Sequence, residues 1–270
     1  MTPLSNGSSA LPARLPLQPI AYTLLAGACF LMLVFGIKGC TDDNSSGLSY
    51  SSFEELPAPT FGTATVSGRV AFEGNVSKPR LLHSPTSACP HGVYDESLIV
   101  GEDGGLANAV VYLEGVAPSS GVDRPTVKLD QINCQFVPHV MAVQVGQPVD
   151  IGNSDPTTHN VHYTPRNNAD VNHDFSGGSQ NKHETVRFAR AEPEPFKARC
   201  DVHDWMSAYI GVFDHPFFAV TDASGAFELD RVPAGDYTLT AWHERHGERK
   251  TEIKVGEDDV SHNFVYRRSS

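Results

Sequence analysis

Ala64-Thr-Val-Ser-Gly-Arg-Val-Ala-Phe-Glu-Gly74 puts apolar residues at alternate positions and ends on a glycine, the pattern of a strand with one face buried. Working outward, Ala107-Asn-Ala-Val-Val-Tyr-Leu-Glu114 repeats the pattern, as do Phe218-Ala-Val-Thr-Asp-Ala-Ser-Gly-Ala-Phe-Glu-Leu229 and Val232-Pro-Ala-Gly-Asp-Tyr-Thr-Leu-Thr-Ala-Trp-His243. Asp222-Ala-Ser-Gly225 and Pro233-Ala-Gly235 supply turn chemistry between these runs. Long amphipathic helical stretches are hard to find, whereas short runs rich in Val, Phe, Tyr and Thr recur between Gly, Pro, Asn and Asp clusters. The chain reads as all-β.

The outer runs resemble the carboxypeptidase regulatory-like (transthyretin-like) sandwich. The resemblance rests on Ser67-Gly-Arg-Val70, on Thr221-Asp-x-x-Gly225-x-Phe227 and on Pro233-x-Gly235-x-Tyr237-Thr-Leu239. Neither half holds enough strands to close a sandwich alone. Residues 62–124 and 216–268 are therefore expected to form one small β-sandwich, split by an inserted domain at 125–215, since exposed loops accept guests whose ends lie close together. A single larger irregular sandwich is the competing arrangement.

At 270 residues the chain can hold an anchor and two domains, each with its own core. Arg14 and Lys38 are the only charged residues before position 41. The remainder has 20 − 2 = 18 basic and 32 acidic residues, a net of −14, which argues against nucleic acid as a partner. Ile20 to Ile37 is uncharged and mostly apolar, long for a signal-peptide core and just long enough to span a bilayer. Residues 1–40 thus read as a signal or a membrane anchor helix. Lys38-Gly39-Cys40 resembles a bacterial lipoprotein cleavage box, with lysine at an unusual position, which makes Cys40 a lipidation candidate. Residues 41–61 read as a linker, and the rest as exported to the periplasmic or cell-surface side, touching membrane only through the anchor or a lipid.

Five cysteines fit that compartment. Cys29 and Cys40 belong to the N-terminal stretch and Cys200 to the motif below, leaving Cys89 and Cys134 as disulfide candidates in an oxidising environment, with two free buried thiols as the alternative.

The motif is Arg199-Cys-Asp-Val-His-Asp-Trp-Met206. On one short loop, Cys200, His203 and Met206 offer a thiolate, an imidazole and a thioether. Those are three of the four ligands of a blue copper site, which adds a second histidine from elsewhere. Upstream, Thr158-His-Asn-Val-His-Tyr163 follows Val143-Gln-Val-Gly-Gln-Pro-Val-Asp-Ile-Gly-Asn153. His159 and His162 are three apart, so on an extended strand they face opposite sides and only one can reach the metal.

Val145-Gly-x-x-Val149, Asn153 six residues before His159, His159-Asn-Val-His162 with its following aromatic, and the short Cys-x-x-His-x-x-Met loop resemble the cupredoxins of the amicyanin type, over roughly residues 140–213. The resemblance implies a Greek-key sandwich holding one type 1 copper on His159, Cys200, His203 and Met206. It places Asn160 and Asn153 in supporting positions around the ligands, with the Asn160 amide directed at the Cys200 sulfur. It also implies electron exit at His203, with Trp205 and its apolar neighbours as a docking patch and Asp204 standing where amicyanins carry proline. His162 is left as a surface or half-buried strand histidine.

A zinc half-site would want a second close Cys/His pair, a Cys–His nucleophile would leave Met206 without a task, and a buried inert thiol would explain neither histidine. The expected function is single-electron transfer between redox protein partners, without enzymatic activity. A multicopper enzyme would use His-x-His pairs, and the sequence contains none. A copper carrier or sensor would favour a Met-rich site, against four methionines here. A scaffold or adhesion sandwich with structural copper is the remaining alternative. His139, His243 and His246 are expected to be structural or solvated, and Arg166 to Lys182 a flexible loop.

Overall fold

Alternation of apolar and polar side chains governs the computed structural model, which describes residues 56–178 and 183–268. The Ile20–Ile37 stretch, Cys29 and Cys40 lie outside the described residues, among which no helix is long and apolar enough to cross a membrane. Every regular element described is a strand. In chain order they are β1 (Ala64–Glu73), β2 (Leu81–His83), β3 (Val93–Tyr94), β4 (Val110–Glu114), β5 (Val127–Ile132), β6 (Gln135–Val137), β7 (Val140–Gln144), β8 (Val149–Gly152), β9 (His159–Tyr163) and β10 (Val171–Phe175). There follow β11 (His183–Val186), β12 (Phe196–Arg199), β13 (Ser207–Phe213), β14 (Phe218–Val220), β15 (Ala226–Val232), β16 (Gly235–His243), β17 (Gly247–Val255), β18 (Val260–Ser261) and β19 (Phe264–Arg267).

The outer segments build two sheets. In one, β1 lies between antiparallel β15 and the parallel pair β18 and β19; in the other the order is β14-β4-β16-β17. Between them lie Val66, Val70, Leu113, Leu229, Leu239 and Tyr266, each 2% exposed or less. Side chains of this size contribute about 1.5–3 kcal/mol each on burial. The turn into β15 needs its glycine: Gly225 has φ +73°, and a Cβ there would meet the Val70 carbonyl at 2.1 Å. Gly68 is required for a different reason, because a Cβ would lie 1.7 Å from the His262 carbonyl, where the chain breaks between β18 and β19.

Strands from the middle of the chain pair only with one another, as β10-β9-β12-β13-β7 and β11-β8-β5-β6. Leu129, Val143, Ile151, Val161, Ile210 and Val212 fill the space between them. A seam of Val110, Tyr112 and Trp242 from the outer strands packs on Val140 and Phe213 from the middle ones. The segment expected as a flexible loop contains β10, paired with β9 from Val171↔Tyr163 to Phe175↔His159. The reason is alternation that the surrounding Asn, Asp and Gly disguise: Phe175 is 1% exposed and Val171 half-buried, with Asn172 and Asp174 turned the other way. Residues 179–182 lie outside the described residues.

Candidate metal centre

Two adjacent strands present the chemistry. In β9, His159, Val161 and Tyr163 share one face, 0%, 0% and 3% exposed, which drives the His159 ring into the interior with its apolar neighbours. Neighbouring β12 ends at Arg199, and the next seven residues fold back before β13. The Cys200 amide donates to the Met206 carbonyl (3.2 Å) and the Met206 amide to the His203 carbonyl (3.0 Å), closing the loop on itself.

His159 Nδ1 and His203 Nδ1 lie 2.9 Å apart, and Cys200 Sγ is 3.8 Å from His203 Nδ1. Donor atoms of the three residues are all within 4.8 Å of one another. Met206, 1% exposed, is buried at the end of the same loop. His203 is the most exposed of the four, although still half-buried. His162 points away, its Nδ1 2.7 Å from Asp201 Oδ2 with Arg199 Nη2 alongside at 3.0 Å.

One contributor went unnoticed in the sequence. Asp155, 5% exposed, accepts from His159 Nε2 at 2.8 Å, and its carboxylate is itself fixed by the amides of Asn133 (2.6 Å) and Cys134 (2.7 Å). Burial pushes the Asp155 carboxyl up, but the His159 ring and these amides outweigh it and hold it below the usual range. A carboxylate on Nε2 fixes the tautomer, leaving the Nδ1 lone pair to face Cys200 and His203. Only the position of Asp155 four residues before His159 could have suggested this.

The supporting asparagines have partners of their own. Asn153 is fully buried, donating to the carbonyls of Thr157 (2.9 Å) and Phe175 (2.8 Å), so it shapes the turn that leads to His159. Asn160 accepts from the Asp201 amide (2.6 Å) and donates to Asp201 Oδ2 (3.1 Å), stitching β9 to the loop. Burial raises the Cys200 thiol, yet the His159 ring and the amides of Asn160, His203 and Val202 directed at the sulfur bring it below its ordinary range. Nitrogen, nitrogen and sulfur donors converge, Met206 is buried on the same loop, backbone amides are arranged for a thiolate, and this set of residues fits copper.

The β2–β3 ribbon lies against the far side of the loop. Trp205 is half-buried, stacked on His83 with ring centroids 3.9 Å apart and planes at 12°, and donates Nε1–H to the Cys134 carbonyl at 3.1 Å. The β2–β3 ribbon covers it, tied down by a Cys89–Cys134 disulfide whose sulfurs lie within 4.8 Å of a His203 ring nitrogen. Asp201, Val202 (58% exposed) and Asp204 are the exposed residues of the loop.

No family model and no curated protein sequence matches the chain. Among solved structures, a copper-containing nitrite reductase from Thermus scotoductus is 16% identical with a TM-score of 0.30, covering 37% of this chain and 25% of that one. Amicyanin from Paracoccus versutus is 16% identical (TM-score 0.28; 38% of this chain, 96% of that one), and a purple cupredoxin from Nitrosopumilus maritimus 17% (TM-score 0.27; 32% and 98%). With TM-scores this low, the copper reading rests on the ligand geometry.

Proposed function

We propose that this chain is an exported, mononuclear type 1 copper protein that carries single electrons between redox proteins. The observation that supports it is the convergence of His159 Nδ1, His203 Nδ1 and Cys200 Sγ, with Met206 buried on the loop that carries two of them. Copper held there supplies one-electron exchange. The chain's residues do the rest. Asp155 holds the His159 ring in one tautomer and orientation, Asn160 and Asp201 fix the strand against the loop, and Met206 would supply a thioether from the same buried loop. Two imidazoles, a thiolate and a thioether complete the donor set, leaving no place for a substrate, so the reading is of a carrier rather than an enzyme. We further propose that the outer strands form one regulatory-like sandwich hosting the copper domain, and that the edge at His203, Val202 and Asp204 meets the partner. The disulfide suits an oxidising, extracytoplasmic compartment.

Metal analysis with visible absorption of the purified chain tests the assignment. One copper per chain is expected, with an intense thiolate band that Cys200→Ser abolishes. A chain that takes up no copper, or a Cys200→Ser variant that keeps the band, overturns it. Reversible voltammetry without metal loss separates electron transfer from metal carriage.

A further inference from the structure

Away from the metal centre, a cavity of about 220 Å³ opens between the segment after β1, the segment after β3, the β16–β17 turn and the residue after β19. Lys78, Arg80, Arg245 and Arg268 ring it, and Asp95 is its one carboxylate, so its lining carries 4 − 1 = +3 in a chain whose net charge is −12. None of the four cations has a described carboxylate within 4.0 Å. Asp95 offsets only part of that charge: it feels Arg245 and Arg80, while its Oδ1 accepts from the Ser97 amide (3.0 Å) and hydroxyl (2.5 Å). His246 in the same wall keeps an Nε2 without a hydrogen-bond partner.

Four like charges gathered around a single carboxylate repel one another, in a chain whose surface is otherwise acidic. We propose that this cavity binds a phosphate group. Three guanidiniums present planar forks suited to paired phosphate oxygens, Lys78 adds a point charge, and Asn75 and Ser77 line the same wall as neutral donors. The volume suits one small anion rather than a nucleotide. The group comes either from free phosphate or from an anionic lipid headgroup, which share this chemistry.

Calorimetry and thermal unfolding of the full chain in neutral detergent test the site. Inorganic phosphate is compared with chloride at equal ionic strength, and phosphatidylglycerol with phosphatidylcholine in mixed micelles. The expected result is saturable binding and a rising Tm with phosphate, phosphatidylglycerol or both. Arg80→Gln with Arg245→Gln should weaken binding on the order of 100-fold, since each removes a charge-assisted hydrogen-bonding fork. Arg190→Gln with Lys197→Gln, exposed cations elsewhere, should leave it unchanged. A response to phosphatidylglycerol alone identifies the headgroup as the source, and one to phosphate alone the free anion. No response to either, or equal weakening in both double variants, overturns the proposal.

Discussion

Glu244 sits in the β16–β17 turn, yet its carboxylate reaches across the seam to His139 just before β7. His139 Nε2 to Glu244 Oε1 is 2.5 Å, and both side chains are 8% exposed. The other ring nitrogen, Nδ1, lies 3.0 Å from the carbonyl of Ser207, the residue after Met206. Burial alone would push the His139 imidazole down, but Glu244, joined by the charge of Glu96 at 4.0 Å, outweighs it and holds the ring above its ordinary range. Because the folded value is raised, the pair's contribution is fully present below the ordinary imidazole value of ~6.5 and is lost as pH rises through the folded value. Glu244→Ala leaves the ring buried without its acceptor. The expected loss is about 3–5 kcal/mol near pH ~6, where the proton must leave the ring or sit unpaired, shrinking to about 1–3 kcal/mol at alkaline pH, where a neutral ring loses one hydrogen bond. Urea unfolding of wild type and variant at the two pH values measures both. Glu244→Gln keeps shape and a hydrogen-bonding oxygen, so it should lie between them. A loss below about 1 kcal/mol at both pH values, or one of equal size at both, would refute the buried charged pair.

Removing the disulfide by replacing Cys89 and Cys134 with Ser frees a 45-residue separation and should cost about 4 kcal/mol in chain entropy, read as a lower urea midpoint. His215, 5% exposed and accepting from the Phe217 amide, is pushed down to about 4 by burial. A depressed histidine leaves stability intact above ~6.5 and erodes it as pH falls toward the folded value. His215→Asn, which retains an acceptor, should therefore flatten the acid limb of the stability profile by about 3 kcal/mol. Asp155→Asn should lower copper affinity by about 10- to 100-fold in a chelator competition, by loosening the His159 ring.

What the sequence exposes and what it hides differ by range. Alternation at Ala64, Val66, Val70 and Phe72 is local, and all four are buried in β1. Cys200, His203 and Met206 lie within seven residues, so their spacing alone puts three donors on one turn. Asp155 is near in sequence but acts on the nitrogen of His159 that faces away from the other donors, and loop carboxylates are too common to single out. Trp205 and His83 are 122 positions apart and meet where the β2–β3 ribbon, tied by the disulfide, lies over the loop. The same holds for His139 and Glu244, 105 apart, and for the cavity, drawn from four separate stretches of chain. Strand β10 was hidden differently, by composition, since Asn and Asp on its outer face look like loop residues until Phe175 is seen to be buried.

The loop is restrained from several independent directions. The Cys200–Met206 backbone bond closes it, Asp201 ties it to Asn160, the Trp205 indole ties it to Cys134, and Cys134 also donates to the Asp155 that holds His159. A donor set tied in this way resists rearrangement when the charge at its centre changes by one, which is what the proposed electron exchange requires. Handing the metal on would require at least one donor to swing out, and each tie opposes that motion. Cutting a single tie, as Trp205→Phe does to the Cys134 carbonyl, should accordingly speed copper loss to a chelator more than it alters the visible band. A variant whose band shifts strongly while its copper-loss rate stays at the wild-type value would show that the indole tunes the donors rather than restraining them.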